Sequence, residues 1–175
     1  MNMGCMRETA GAELLSGFFL AAIFVGCLSF IPDKIGRKTS VLGGMFLSLI
    51  SQYFLLFVPN MLVRQLAFIC LGIASLKAAQ TYVWISDSVS VENRATCLTL
   101  ITAIDTLPIP LSCLFFYFHK PDWFVVNFFM FCLSLVAFAI GLVLPESPRW
   151  LLLTNQREKA IASLNQIAKL NGRGK

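Results

Sequence analysis

The sequence predicts an all-α membrane protein, with about five transmembrane helices followed by a cytoplasmic segment that carries one amphipathic helix. Three observations predict it. Of 175 residues, 57% are apolar and only 13% charged, against roughly 25% charged in soluble domains, and a soluble fold of this length exposes too much of its surface to hide so much apolar material. The apolar residues come in five long runs, each near the roughly 20 residues that a helix needs to cross the hydrocarbon core. The basic residues lie between these runs rather than along one face. Despite the net charge of +5, that distribution argues against a nucleic-acid partner and for a lipid bilayer.

The runs cover about 10–31, 39–57, 66–86, 97–118 and 124–144. In lipid each must be a helix, because backbone groups have to be satisfied within the segment. The first is too long for a signal-peptide core and lacks a basic leader and cleavage site; Glu13 lies near its outer end. The second carries Ser48, Ser51 and Gln52, a polar patch that suits helix–helix contact. The third holds Lys77 and the fourth Asp105, with Pro108 and Pro110 expected to kink the fourth. The fifth presents Phe128, Phe129, Phe131 and Phe138, with Asn127 nearly alone as a polar group, and reads as a peripheral, lipid-facing helix.

Residues 1–144 therefore form the transmembrane bundle and 145–175 the cytoplasmic segment. In that segment Ala160, Ile161, Leu164, Ile167 and Ala168 recur at helical spacing. Asn155 with Glu158 resembles a capping pair, and Gly172 suits the helix end. This helix is expected to lie along the membrane surface rather than cross it.

Orientation follows from the loops. One side carries Lys34, Arg37, Lys38, Arg94, Arg149, Arg157, Lys159, Lys169, Arg173 and Lys175, and the other only Arg7, Arg64 and Lys120. The carboxyl terminus is thus expected in the cytoplasm and the amino terminus outside. Trp123 and Trp150 fall near opposite ends of the last span, where amphipathic rings prefer the interface. An odd number of spans with an external start implies a preceding helix, so the chain reads as a fragment.

Enzymatic function has no foothold in the residues. There is no phosphate-cradling glycine loop and no nucleophile with an adjacent base. Cys27, Cys70, Cys97, Cys113 and Cys132 lie in or beside apolar runs, where a thiol packs as a small hydrophobe, and only Cys5 lies clearly outside. With a single histidine, His119, neither a metal site nor another cofactor is expected.

Three local patterns carry a resemblance to the major facilitator superfamily. Asp33-Lys34-Ile35-Gly36-Arg37-Lys38, between the first two spans, resembles the family's D-R-x-G-R-K loop. Such a tight glycine-assisted turn places a carboxylate and cations at neighbouring helix ends, where they can latch helices in one conformation and release them in another. Pro145-Glu146-Ser147-Pro148-Arg149-Trp150-Leu151-Leu152 is similar to the P-E-S-P-R-W-L signature after the sixth span of sugar porters and of organic cation and anion transporters. Leu76-Lys77, Tyr82, Asp87 and Arg94 resemble the fourth span of the organic cation and anion transporters, which carries a mid-helix lysine that sugar porters typically lack.

The resemblance implies the second to sixth spans of an amino-terminal bundle. It also implies a secondary carrier of small organic ions or related solutes, usually placed in the plasma membrane. Asp33, Gly36, Arg37, Lys38, Asp87, Arg94, Glu146 and Arg149 are the expected conformational latch. Ser29, where the family has a packing glycine, and the two prolines of the fourth span depart from its pattern. The missing helices of a longer carrier, or another subunit, are the expected protein partners. A sugar porter and a truncated, non-transporting interaction protein are the alternatives.

Lys77 and Asp105 are charges within apolar runs, and such residues usually face a bundle interior or a watery cavity. At 1.5 Å per residue, Lys77 lies roughly 17 Å from the outer edge of its helix and Asp105 roughly 12 Å from the inner edge of the next. Both are then near one level of a core about 30 Å thick, so an ion pair is feasible. Lys77, Gln80, Thr81 and Trp84 share one helical face, as do Thr102, Asp105 and Thr106. Lys77, Gln80, Thr81, Trp84, Thr102 and Asp105 are the expected border of the substrate path near the midplane.

Overall fold

Among the described residues, four helices are long and apolar enough to cross a membrane: Arg37–Phe57, Met61–Ser88, Arg94–Phe118 and Trp123–Val143. The computed structural model describes residues 8–27, 30–118, 123–170 and 172. Cys5, Arg7, Ser29, His119, Lys120, Asn171, Arg173 and Lys175 lie outside them. In chain order the helices are α1 (Glu8–Gly26), α2 (Ile31–Ile35), α3 (Arg37–Phe57), α4 (Met61–Ala74), α5 (Leu76–Ser88), α6 (Arg94–Thr106), α7 (Pro108–Phe118), α8 (Trp123–Val143), α9 (Pro148–Leu153) and α10 (Arg157–Leu170).

The described helices fall on the apolar runs of the sequence, with ends that have local causes. α1 ends at Gly26 rather than near residue 31, and its apolar part, Ala12–Gly26, is shorter than a full crossing. Pro32 instead opens the separate α2, since proline suits a first helical turn and not an interior. The third span is longer than expected and is pinched at Ser75, whose hydroxyl bonds the Gly72 carbonyl at 2.7 Å. The fourth breaks at Leu107, whose N–H bonds Ile104 O at 3.2 Å, as the prolines at 108 and 110 require.

α3 is the centre of the arrangement, touching α4, α5 and α8, while α1 runs along α4. Small residues set these spacings. A Cβ at Gly72 would strike the Phe18 carbonyl oxygen of α1 and come 2.9 Å from Ala21 Cβ, so no other residue lets α1 and α4 meet so closely. A Cβ at Gly44 would stand 2.8 Å from Lys77 Cβ, and one at Gly141 would stand 3.0 Å from Leu42 Cδ2. Phe46 and Phe138 extend the α3–α8 contact, with ring centroids 6.1 Å apart. α8 is therefore peripheral but paired along one face. α6 and α7 bury no residue among those described and reach the rest through α5.

At one end of the bundle α2, α9 and α10 cap the spans. Ser163 Oγ donates to Glu146 O (2.7 Å) and Gln166 Nε2 to Val143 O (3.0 Å), which ties α10 beneath α8. Within the expected apolar stripe of α10, Ala160 is buried, whereas Ile161 and Leu164 point away from the protein. The expected capping role of Asn155 is not what the structure shows. α10 begins at Arg157, and Asn155 instead turns the chain with φ of 61°, a conformation that asparagine tolerates better than most residues. Gly172 does end the helix in the left-handed region, at φ 69°.

Candidate functional site

The capped end concentrates charge. The Asp87 side chain, at the end of α5, is only 3% exposed and pairs with Arg37 Nη1 at the start of α3. It also accepts from Ser147 Oγ at 3.1 Å and lies 3.6 Å from Arg149 Nη1. Arg37 in turn reaches Asp33, 3.8 Å away. One carboxylate thereby holds together the α2–α3 turn, the end of α5 and the start of α9.

Glu146 works on the same turn from the other side. Its Oε1 accepts the Lys38 N–H at 2.8 Å and the Ser147 N–H at 3.0 Å, meeting the free donors and positive dipole end of α3 with a negative charge. Gly36 makes this possible: it has φ 114°, and a Cβ there would sit 2.9 Å from Glu146 Oε2. Lys38 Nζ donates to Leu142 O (2.9 Å), and Trp150 Nε1 donates to Asp33 O (2.8 Å).

Of the residues expected in the latch, Asp33, Gly36, Arg37, Lys38, Asp87, Glu146 and Arg149 come together here. Arg94 does not join them: it forms no ion pair among the described residues, and its Nε is buried without a hydrogen-bond partner. Ser147 and Trp150 do belong to the cluster, although neither was expected. Ser147 is fully buried and caps α9 by accepting from Trp150 N at 3.2 Å. A serine followed by proline ahead of an apolar turn is a helix-start signal that points to that capping role. Trp150 looked like an interface anchor, and nothing local in the sequence tells of its bond to Asp33.

The charges deeper in the spans do not pair, contrary to the ion pair that their common depth allows. Lys77 Nζ donates to Ser48 Oγ of α3, and Asp105 Oδ2 accepts from the Tyr82 hydroxyl at 2.9 Å. The reason is rotation about α5. Lys77 and Tyr82 are five residues apart, and at roughly 100° per residue they project about 140° from one another.

The residues expected along the path therefore divide between two faces. Thr81 and Trp84 accompany Lys77 toward α3 and line a largely apolar cavity of about 570 Å³ with Val41, Met45, Ile140 and Ile167. Thr102 and Asp105 stand with Tyr82 at the α5–α6 contact, both exposed. Gln80 is buried within the bundle. Ser48 and Ser51 are also buried; Ser48 accepts from Lys77 of α5, whereas Ser51 donates to Leu47 O within α3.

The arrangement has relatives. The family model described as "Sugar (and other) transporter" matches residues 4–174. Solute carrier family 22 member 3 of Rattus norvegicus is 30% identical over 96% of this chain and 30% of its own length. Solute carrier family 22 member 2 of Mus musculus is 29% identical over 90% of this chain and 28% of its own. Among solved structures, the xylose transporter XylE from E. coli, in a partially occluded inward-open conformation, superposes with a TM-score of 0.66. It is 18% identical, with 98% of this chain and 46% of that one covered, so the likeness speaks for the fold. The chain thus spans about a third of the length of these curated relatives. With seven of eight expected latch residues gathered at one end of an all-helical bundle, the chain belongs to the sugar (and other) transporter family of the major facilitator superfamily.

Proposed function

We propose that this chain forms the latch-bearing part of a secondary carrier that moves small organic ions or related solutes by alternating access. Its relatives among solute carrier family 22 support this reading. The observation that carries it is the buried Asp87 carboxylate, which joins three chain segments through Arg37, Ser147 and Arg149. A charge cluster of that kind is bistable. Closed, it fixes the ends of α3, α5 and α9; opened by a shift of one helix, it frees them together. In this reading the capped end faces the cytoplasm of a plasma-membrane protein, in keeping with the excess of lysine and arginine there.

Uptake of labelled organic ions into cells that express the protein, with any further sequence of its transcript, tests the proposal. Uptake above that of untransfected cells, and reduced about tenfold or more by Asp87→Asn at equal surface abundance, is expected. Uptake indistinguishable from background would sink it. Competition by hexoses, and not by organic ions, would favour a sugar porter instead. The exposed α6–α7 favours a second reading, in which the chain binds a membrane partner and transports nothing. Crosslinking from α6 to another polypeptide, without uptake, is the outcome that reading requires.

A further inference from the structure

We propose that the Asp105–Tyr82 pair is a recognition point for a positively charged nitrogen, so that the path takes cationic rather than anionic solutes. The inference rests on the carrier reading and supplies the sign of charge that this reading leaves open.

The two membrane-embedded charges are not equivalent. Lys77 is withdrawn into the seam between α3 and α5. Its ammonium donates to Ser48, and its Cβ lies where a side chain on Gly44 would collide with it. Ser48 is itself buried, at 2% exposure, and bonds back to Met45 O, so the lysine is held against helix packing. Asp105 is in the opposite situation. It is exposed, and no cation lies within ion-pairing distance of it among the described residues. Among the described residues its direct hydrogen-bond partner is a neutral hydroxyl, that of Tyr82, which orients Oδ2.

A carboxylate facing hydrocarbon is costly, so such a group faces a watery cavity or a counter-ion. The surroundings suit an ammonium. Tyr82 supplies a ring that can face a cation as well as the hydroxyl that aims the carboxylate. Thr102, one turn earlier on α6, stands beside the same phenol and adds a hydroxyl oxygen. Among the described residues an anion approaching this face meets no cation paired to it, because Lys77, at the same depth, is engaged by Ser48.

Charge-selective thiol labelling tests the proposal without reading uptake. In a chain whose native cysteines are replaced by alanine and which is held in nanodiscs, Thr102→Cys is reacted with a trimethylammonium methanethiosulfonate and with a sulfonate analogue. The expected ratio of cationic to anionic rates falls about tenfold on adding Asp105→Asn, the scale on which local fields alter encounter rates. It recovers in Asp105→Glu and is unchanged by Lys77→Gln. Phenyltrimethylammonium should slow the labelling where a carboxylate is kept, with Asp105 intact or in Asp105→Glu, and benzoate should not.

A ratio indifferent to Asp105→Asn, protection by benzoate that Lys77→Gln removes, or absence of labelling by either reagent would each overturn the assignment. Asp105→Glu keeps the test open if the asparagine variant folds poorly. Failure of the carrier reading looks different. It appears as absent uptake with the labelling pattern intact, whereas uptake of benzoate with labelling independent of Asp105 removes only the preference for cations.

Discussion

Asp87 and Arg149 face each other across 3.6 Å, yet their losses should be unequal. The Asp87 side chain is 3% exposed and its main partner Arg37 is 14% exposed, so Asp87→Asn leaves a nearly buried guanidinium with only the exposed Asp33 carboxylate, 3.8 Å away. That costs about 3–5 kcal/mol in buried pairs. Arg149 is 62% exposed, and for such a pair the loss is about 1 kcal/mol or less. Thermal unfolding of the two variants in nanodiscs should show a large drop for Asp87→Asn and a small one for Arg149→Gln. Equal drops would mean that Asp87 is not the centre of the charge cluster.

Gly36 is a second residue-scale case. Gly36→Ala must hold an L side chain at φ 114° and place a Cβ 2.9 Å from Glu146 Oε2. Strain of about 1–3 kcal/mol is expected, with the Glu146 cap of α3 loosened. Amide exchange at Lys38, whose N–H that carboxylate accepts, should therefore accelerate. Gly36, Asp33 and Arg37 could be nominated from sequence because a turn of fixed spacing carries its own geometry. Trp150 could not, since its partner Asp33 is 117 positions away and only the folded bundle brings the two together.

Among the elements, α3 meets α5 at Gly44 and α8 at Gly141, and each glycine sets one helix distance. Gly44→Val should push α3 from α5 at Lys77, costing about 1–3 kcal/mol as overpacking does. Lys77→Met, which removes a charge and keeps the length, should cost less than about 1.5 kcal/mol in the same unfolding measurement. A larger loss for Lys77→Met than for Gly44→Val would show that the Lys77–Ser48 bond, and not the close approach, holds that seam. The helix boundaries were legible in outline, because hydropathy and proline act locally. The pinch at Ser75 was not: a serine within an apolar run also fits an unbroken helix, and the hydroxyl's bond to Gly72 O decides the matter.

For the molecule as a whole, α6–α7 is the unsettled part. It buries no residue among those described, and among them the Tyr82 hydroxyl ties α5 to α6 through Asp105. Tyr82→Phe should therefore free α6 more than it destabilises the bundle. Amide exchange should rise along α6 by roughly tenfold, the equivalent of about 1.4 kcal/mol, while α3 and α4 stay protected. Uniform acceleration across all the helices would instead make Tyr82 part of the common core.

The sequence by itself determined the membrane class, the main apolar segments, the break at the prolines and the two loop motifs. Each of these is a property of neighbouring residues: hydropathy, missing donors, or a short turn with set spacing. Only the tertiary structure decided which charges meet. Lys77 and Asp105 share a depth, yet the rotation of α5 turns Lys77 to Ser48 and Tyr82 to Asp105. Arg94 was grouped with the latch by chain position, but Arg37 reaches the Asp87 carboxylate. Which partner is reached depends on the azimuth and crossing of packed helices. Those arise from the sum of small contacts such as Gly44 on Lys77 and Gly72 on α1, and no local stretch of sequence records that sum.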